Sequence, residues 1–226
     1  MANFEQHINV AVIATGVLIV PLASSGLITI EESLISLSLG VLGGILPDLD
    51  SDRSKPVQIS FKILSIFIPL LILISLSDMN LPILQMIAMW LFSSVVLGLT
   101  LFKLFLALTK HRGIFHSIPM GILFFQLTNI IFYHLLNYSL TFSTIAGFFV
   151  FFGFIIHLLL DELVSLNILG LKIKSSLGTA LKLYTKHNLI GTAIVYTLIV
   201  GLYLFLPIEK EVFIKMIEIL KTVKLV

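Results

Sequence analysis

The longest part of this chain without a charged side chain runs from residue 113 to residue 160. In lipid, backbone amide and carbonyl groups find no solvent partners, so an apolar stretch of this length satisfies them by forming helices. The turn-forming residues Asn137, Tyr138 and Ser139 divide it into predicted helices over residues 118–136 and 140–160. Each is close to the roughly 20 residues that cross a bilayer. The stretch therefore predicts two neighbouring transmembrane helices.

The composition of the whole chain agrees with a membrane protein. Of the 226 residues, 58% are hydrophobic and 12% are charged, whereas a soluble domain carries about 25% charged residues. The mean hydropathy is +1.12. Five more apolar runs are candidate spans, and they cover residues 8–30, 33–46, 57–77, 81–102 and 189–206. The predicted fold is therefore an all-α polytopic bundle of six to seven spans.

The second of these runs is short and rich in glycine, with Gly40, Gly43 and Gly44. It is interpreted either as a thin or tilted span or as a re-entrant helix. At the other end of the chain, the pattern of residues 208–226 predicts an amphipathic helix on the membrane surface. Since no Pro/Gly/Ser-rich linker interrupts the chain, residues 1–207 are predicted to form one transmembrane domain, followed by the tail 208–226.

Charge and cysteine content exclude several classes of function. The formal net charge is +2, which is too small to indicate nucleic-acid binding. The chain has no cysteine, so neither disulfides nor thiolate metal sites can form. The first residues lack the basic segment of a cleavable signal peptide, and the expectation is that none is removed.

The distribution of basic residues predicts the orientation in the inner membrane. With seven spans, the N-terminus and the loops 47–56, 103–117 and 161–188 lie on one face. These loops and their borders hold Arg53, Lys55, Lys62, Lys103, Lys110, Arg112, Lys172, Lys174, Lys182 and Lys186. The short loops opposite hold Glu31, Glu32 and Asp78 and no basic residue. The first face is therefore predicted to be cytoplasmic. The four lysines of the tail disagree with this rule, so the side of the tail stays open.

The same alternation places a set of histidines and aspartates at the predicted cytoplasmic face. They lie before the first span, after the second, before the fifth and at the end of the sixth. The set consists of His7, Asp48, Asp50, His111, His116, His157 and Asp161. Imidazole nitrogen and carboxylate oxygen together suit Zn²⁺, Mn²⁺ or Fe²⁺.

The spacing within this set favours chelation. His157 and Asp161 are four residues apart on one helix, so both side chains lean to the same face. Gly113 allows the chain to turn between His111 and His116. Seven ligands exceed the needs of one ion, and the prediction is a site for two divalent metal ions.

Simpler explanations exist for several of these residues. Asp48 and Asp50 can merely terminate a helix after Pro47, and a lone His7 is more often structural than functional. His134 has no acidic neighbour and is interpreted as an interfacial side chain, and His187 as a phosphate contact at most. Ionisable groups at the end of an apolar run are costly, however, and usually functional. The co-location of the whole set therefore favours a metal site.

The motifs also resemble those of a known family. An early histidine is followed by Leu-Pro-Asp-Leu-Asp over residues 46–50, His-Arg-Gly-Ile-Phe-His-Ser over 111–117, and His-x-x-x-Asp over 157–161. This order is similar to that of the membrane-bound metal-dependent hydrolase family, first noticed as a LexA-regulated inner-membrane protein. The resemblance covers residues 1–165. It implies that the seven histidines and aspartates are metal ligands with Arg112 nearby, and it implies a reaction class without a substrate.

The expected function is that of a metal-dependent hydrolase at the cytoplasmic membrane face. The metal would activate a water molecule, and Asp50 or Glu162 would accept its proton. Arg112, together with Lys172, Lys174 and Lys186 on the same predicted face, favours an anionic substrate that is small or lipid-linked, such as a phosphate-bearing membrane lipid. Two rivals remain open at this point: a metal-ion or proton transporter, and a catalytically inactive regulatory membrane protein.

Overall fold

The structure is a computed structural model that describes residues 3–50, 62, 65–66, 68–70, 73, 81–109, 114–165, 181–185 and 188–222, without the side chains of residues 49–50, 101–109 and 165. Seven α-helices are defined in these residues. They are α1 (Phe4–Ser24), α2 (Ile30–Ile45), α3 (Ile83–Thr109), α4 (Ile118–Ile130), α5 (Leu140–Ser165), α6 (Leu189–Tyr203) and α7 (Lys210–Thr222). Within the described ranges the chain is helical apart from turns and one isolated bridge, so the predicted all-α fold is confirmed.

Five helical segments in the described residues are long and apolar enough to cross a membrane. They include Ile30–Asp48, so the short second run forms one continuous helix, extended by the 3₁₀ turn Leu46–Asp50. The predicted span 189–206 is a shorter apolar helix, α6. Most of the predicted span 57–77 lies outside the described residues.

Helix α1 shows how the bundle is packed for lipid. Its buried stripe is not especially apolar, because it includes His7 and Thr15 as well as Ala11 and Leu22. Its outward face carries large aliphatic side chains, among them Val17, which is 70% exposed. A helix in water would show the reverse arrangement. The small and polar residues of α1 therefore face neighbouring helices, as in other membrane bundles.

The boundaries of the helices follow local capping chemistry. The predicted span 8–30 is wrong at its C-terminal end, because α1 ends at Ser24 and a turn with Gly26 at φ 75° follows. The next helix begins with a capping box, in which Thr29 and Glu32 bond each other's backbone N–H. The predicted start at Ser117 and the predicted cap Asn188 are both confirmed, and Asn188 Oδ1 accepts from Gly191 N at 2.8 Å.

The chain divides into two compact units. The first consists of residues 1–48 and 114–226, and the second of residues 49–113. In the second unit, Trp90 Nε1 on α3 donates to the Ile66 carbonyl at 3.1 Å and so ties α3 to the helical residues described between 62 and 73. The first unit contains α1, α2 and α4–α7, and it holds the candidate site.

The first unit has two distinct ends. Helices α1 and α4 begin at one end, which is also where α2 and α5 finish. At the other end, the tail helix α7 buries Val212 and Met216 against an apolar cluster that includes Leu22, Phe142 and Ile145. The tail thus lies at the end of the first unit opposite to the start of α1.

Candidate metal centre

Five of the predicted ligands meet at one end of the first unit. His7 lies in the first turns of α1, and Asp48 lies in the 3₁₀ turn after α2. His116 directly precedes the N-cap of α4, and His157 and Asp161 lie in the last turns of α5. We call these five side chains the His/Asp cluster. The cluster is thus assembled from four separate segments that converge because each helix begins or ends there.

The nitrogen and oxygen atoms of the cluster lie within a few ångströms of each other. Asp161 uses both oxygens, since Oδ1 is 3.4 Å from His7 Nε2 and Oδ2 is 3.8 Å from both His116 Nε2 and His157 Nε2. Asp48 Oδ1 is 3.6 Å from His157 Nε2 and 3.8 Å from His116 Nε2. Two groups of three, His7/Asp48/His157 and His116/His157/Asp161, each place their ligand atoms within 4.8 Å of one another.

These five separations are informative in themselves. Each exceeds the 2.7–3.2 Å of a direct N–H···O hydrogen bond. Two ligands that share a tetrahedral ion at about 2.0–2.2 Å lie about 3.3–3.6 Å apart. The separations of 3.4–3.8 Å are therefore close to those of atoms arranged around a common cation.

The orientation of His157 points to the same conclusion. Its Nδ1 lies 2.7 Å from the carbonyl oxygen of Gly44. Because a carbonyl only accepts, Nδ1 carries the proton, and the free lone pair of a neutral ring is on Nε2. That atom is buried, makes no hydrogen bond within the described part of the chain, and faces carboxylate oxygens of Asp48 and Asp161. A lone pair that faces two anionic oxygens is unfavourable unless a proton or a metal cation lies between them.

The rings of the cluster are held in fixed planes by their neighbours. His7 and His157 stack with ring centroids 3.6 Å apart and an interplanar angle of 11°. His116 meets His157 edge to face at 5.6 Å. Around protein-bound metals, a histidine ligand usually donates the N–H of its second ring nitrogen to a carboxylate, a water or a backbone carbonyl, as His157 does here. The donor set therefore fits a divalent ion that accepts nitrogen and oxygen ligands.

Burial distinguishes Asp48 from the other four members. His7, His157 and Asp161 are at most 5% exposed and His116 is 8% exposed, whereas the Asp48 side chain is 30% exposed. Ionisable side chains so deeply buried in a membrane bundle are expensive and normally functional. Asp48 is therefore the member of the cluster that is most accessible to solvent.

Most of the other predicted site residues fall outside the part of the chain that the structure describes. The Asp50 side chain, His111 and Arg112 lie outside the description, as do Lys172, Lys174, Lys186 and His187. Glu162 is half-buried next to Asp161. His134 lies near the opposite end, where its Nε2 is 3.4 Å from the Phe205 carbonyl oxygen.

Two backbone groups near the cluster are not predicted by the sequence. One is the Gly44 carbonyl. Every residue has a backbone carbonyl, so only the spacing of the glycines around Gly44 hints at its role. The other is Lys182, which counted only as a topological charge. Its carbonyl accepts from Ile118 N at 3.0 Å, in a parallel bridge with Ser117, so its backbone runs beside the residue that follows His116.

Comparison with known proteins identifies the family. Residues 1–212 match the family described as YdjM inner membrane protein, and the chain belongs to that family. This membership, together with the apolar helices, identifies an integral inner-membrane protein. The family description states a location and no activity. No curated protein and no solved structure matches the chain significantly.

Proposed function

We propose that this inner-membrane protein is a metal-dependent hydrolase whose site is the His/Asp cluster. The observation that carries the proposal is the orientation of His157, whose Nε2 faces carboxylate oxygens of Asp48 and Asp161 at 3.6 and 3.8 Å. If the aspartates only terminated helices, there would be no reason for a histidine nitrogen to face their carboxylates. A divalent ion of the zinc, manganese or iron type supplies Lewis acidity and a bound water of lowered pKa.

The residues that would hold a first ion are His116, His157, Asp48 and Asp161. Nδ1 of His157 is occupied by Gly44, so this ring can serve a single ion through Nε2. The two groups of three that share His157 therefore cannot hold two separate ions through this ring. A second ion would use His7 and the other oxygen of Asp161, which are 3.4 Å apart. Asp50 and His111 are the proposed additional ligands of that second ion.

The remaining roles follow from position and chemistry. A carboxylate that is not committed to a metal would accept the proton of the water, and the candidates are Glu162 and, where it does not bind the second ion, Asp50. Arg112 is placed by the sequence between two proposed ligands, where its planar guanidinium can bind a phosphate or carboxylate in a bidentate manner. Asp161 would serve both ions, because Oδ1 faces His7 and Oδ2 faces His116 and His157.

The proposed substrate is an anionic, phosphate-bearing lipid. The cluster lies where helices long enough to span a membrane begin and end, so we expect it near the depth of the lipid headgroups. A lipid headgroup reaches such a site without leaving the membrane. The basic residues Arg112, Lys172, Lys174 and Lys186 favour a negatively charged headgroup over a neutral one.

The test is an assay of the purified protein with a panel of lipid phosphates, measuring phosphate release with and without a chelator. Elemental analysis of the same preparation should find about two divalent ions per chain. Hydrolysis that persists in excess chelator would exclude the mechanism. Bound metal without hydrolysis, together with metal uptake into vesicles that contain the protein, would favour the transporter instead.

A further inference from the structure

Helices α2 and α5 pack backbone against backbone next to the His/Asp cluster. A Cβ atom at Gly153 of α5 would overlap the Gly40 carbonyl and approach the Gly44 nitrogen at 2.9 Å. At Gly43 of α2 it would overlap the Val150 carbonyl. These contacts join backbone to backbone, so no side-chain movement can relieve them. Only glycine at these positions lets α2 and α5 approach so closely.

The same crossing sets the position of His157. Gly153 and His157 are one helical turn apart on α5, and Gly44 follows Gly40 by one turn on α2. The approach at Gly153 and Gly40 thus brings the Gly44 carbonyl to 2.7 Å from His157 Nδ1. The next residues of the chain lead from Gly44 to Asp48. The position of α2 therefore determines both the orientation of His157 and the place of Asp48.

We propose that the glycine crossing of α2 and α5 is a positioning device for the cluster, in which the Gly44 carbonyl fixes the Nδ1–H form of His157. The consequence for metal affinity rests on the proposed function. The orientation of the His157 ring in the metal-free protein does not depend on the proposed function. Gly153 is then a positioning residue that acts through α2 on His157.

The expected effect follows from the geometry. Packed helices do not compress, so a methyl group at position 153 must push α2 away from α5. A shift of a few tenths of an ångström already takes the bond from 2.7 Å toward the 3.2 Å limit of a good hydrogen bond. Loss of the partner that orients a metal-bound histidine typically lowers metal affinity 10–100-fold.

The experiment compares Gly153→Ala with two matched controls. Gly147→Ala, also on α5, would press on the Phe125 carbonyl of α4 instead of on α2. Gly16→Ala on α1 faces open space. Zinc affinity of the purified proteins is measured by competition with a chelating dye. We expect Gly153→Ala to bind zinc about 10–100-fold more weakly, and Gly16→Ala to match the wild type.

A second measurement uses metal-free protein with ¹⁵N-labelled histidine, and the His157 signals are assigned by their loss in His157→Gln. The wild type and Gly147→Ala should show Nδ1 protonated and Nε2 unprotonated, and Gly153→Ala should lose this preference. A wild-type ring protonated on Nε2 alone would overturn the proposal even if the variant failed to fold. Unchanged zinc affinity in folded Gly153→Ala would overturn it as well.

These outcomes separate the two proposals. If the wild type binds no metal but keeps the Nδ1–H form that Gly153→Ala loses, the positioning role stands and the hydrolase proposal fails. If the wild type binds metal and Gly153→Ala binds it equally well, the positioning role fails and the metal site stands.

Discussion

The two ends of the first unit are built differently. At one end, five ionisable side chains are gathered at separations of 3.4–3.8 Å, too long for direct hydrogen bonds. At the other end, α7 packs on an apolar cluster, and Glu209 accepts a hydrogen bond from the Thr141 hydroxyl. The Glu209 backbone N–H donates to Thr144 Oγ1 at 3.2 Å.

The difference distinguishes the contacts that stabilise the bundle from the side chains that are available to bind a ligand. The α7 end gains stability from buried apolar side chains, and a carboxylate there is satisfied by neighbouring protein groups. The cluster end contains groups that stabilise the fold little without a cation between them. Substitutions at the two ends should therefore have separable consequences for metal binding and for stability.

The largest effect is expected at the cluster. His157→Ala and Asp161→Asn should each lower metal-dependent activity at least about 100-fold, roughly 3 kcal/mol of transition-state stabilisation. The double variant should be scarcely worse, because residues that act as one unit are strongly non-additive. Activity is measured per folded protein, with helicity as the control. Independent losses that multiply would separate the two residues, and full activity in folded Asp161→Asn would remove Asp161 from the site.

A smaller effect, on stability alone, is expected at the α7 end. Met216 is 3% exposed, so Met216→Ala should lower the free energy of unfolding by about 2–5 kcal/mol. Ile217→Ala is the matched control, because Ile217 is 54% exposed on the same helix. Denaturant titration followed by circular dichroism measures both. Zinc affinity of the folded Met216→Ala protein should equal that of the wild type, and a coupled loss would show that the two ends are not separable.

A still smaller effect is expected in the turn between α1 and α2. Thr29→Ala removes the hydroxyl that accepts from Glu32 N at 3.2 Å, and a lost N-cap costs about 1 kcal/mol. Ser38→Ala is the control, since Ser38 is exposed within the same helix and its hydroxyl donates to the Leu34 carbonyl one turn earlier. The midpoint of thermal unfolding should fall for Thr29→Ala and stay unchanged for Ser38→Ala. Equal midpoints would mean that the capping box does not stabilise α2.

The sequence predicted the helical bundle well because apolar runs and helix caps are local signals. The end of α1 was missed for a physical reason. The turn around Gly26 contains no charge, so the run 8–30 looked uninterrupted although Thr29 and Glu32 form a recognisable capping box. The side of the tail was also undecided, because it depends on the docking of Val212 and Met216 and not on any local pattern.

The members of the His/Asp cluster were predictable from the sequence, but the geometry of the cluster was not. His157 and Asp161 could be paired from their spacing, and alternation of spans placed His7, Asp48 and His116 at the same face. The tautomer of His157 could not be foreseen, because its partner is the Gly44 carbonyl of another helix. Long-range backbone contacts of this kind leave only an indirect trace in the sequence, here the glycines of α2.

The last prediction concerns the orientation of the protein in the membrane, and its substitutions at exposed positions should perturb the protein least. Glu5 and Ser24 are exposed at the two ends of α1, so cysteines there report on opposite sides of one span. The chain has no native cysteine, which leaves each introduced thiol as the single target. The basic loops predict a cytoplasmic cluster, so an impermeant maleimide should label Ser24→Cys in intact cells and Glu5→Cys only after lysis. Since α7 lies at the end where α1 finishes, a cysteine at the exposed Lys221 should behave like Ser24→Cys despite the lysines of the tail. Labelling of Glu5→Cys but not of Ser24→Cys in intact cells would place the cluster outside and would remove the argument for a cytoplasmic substrate. Labelling of both Glu5→Cys and Ser24→Cys in intact cells would mean that α1 does not span the membrane at all.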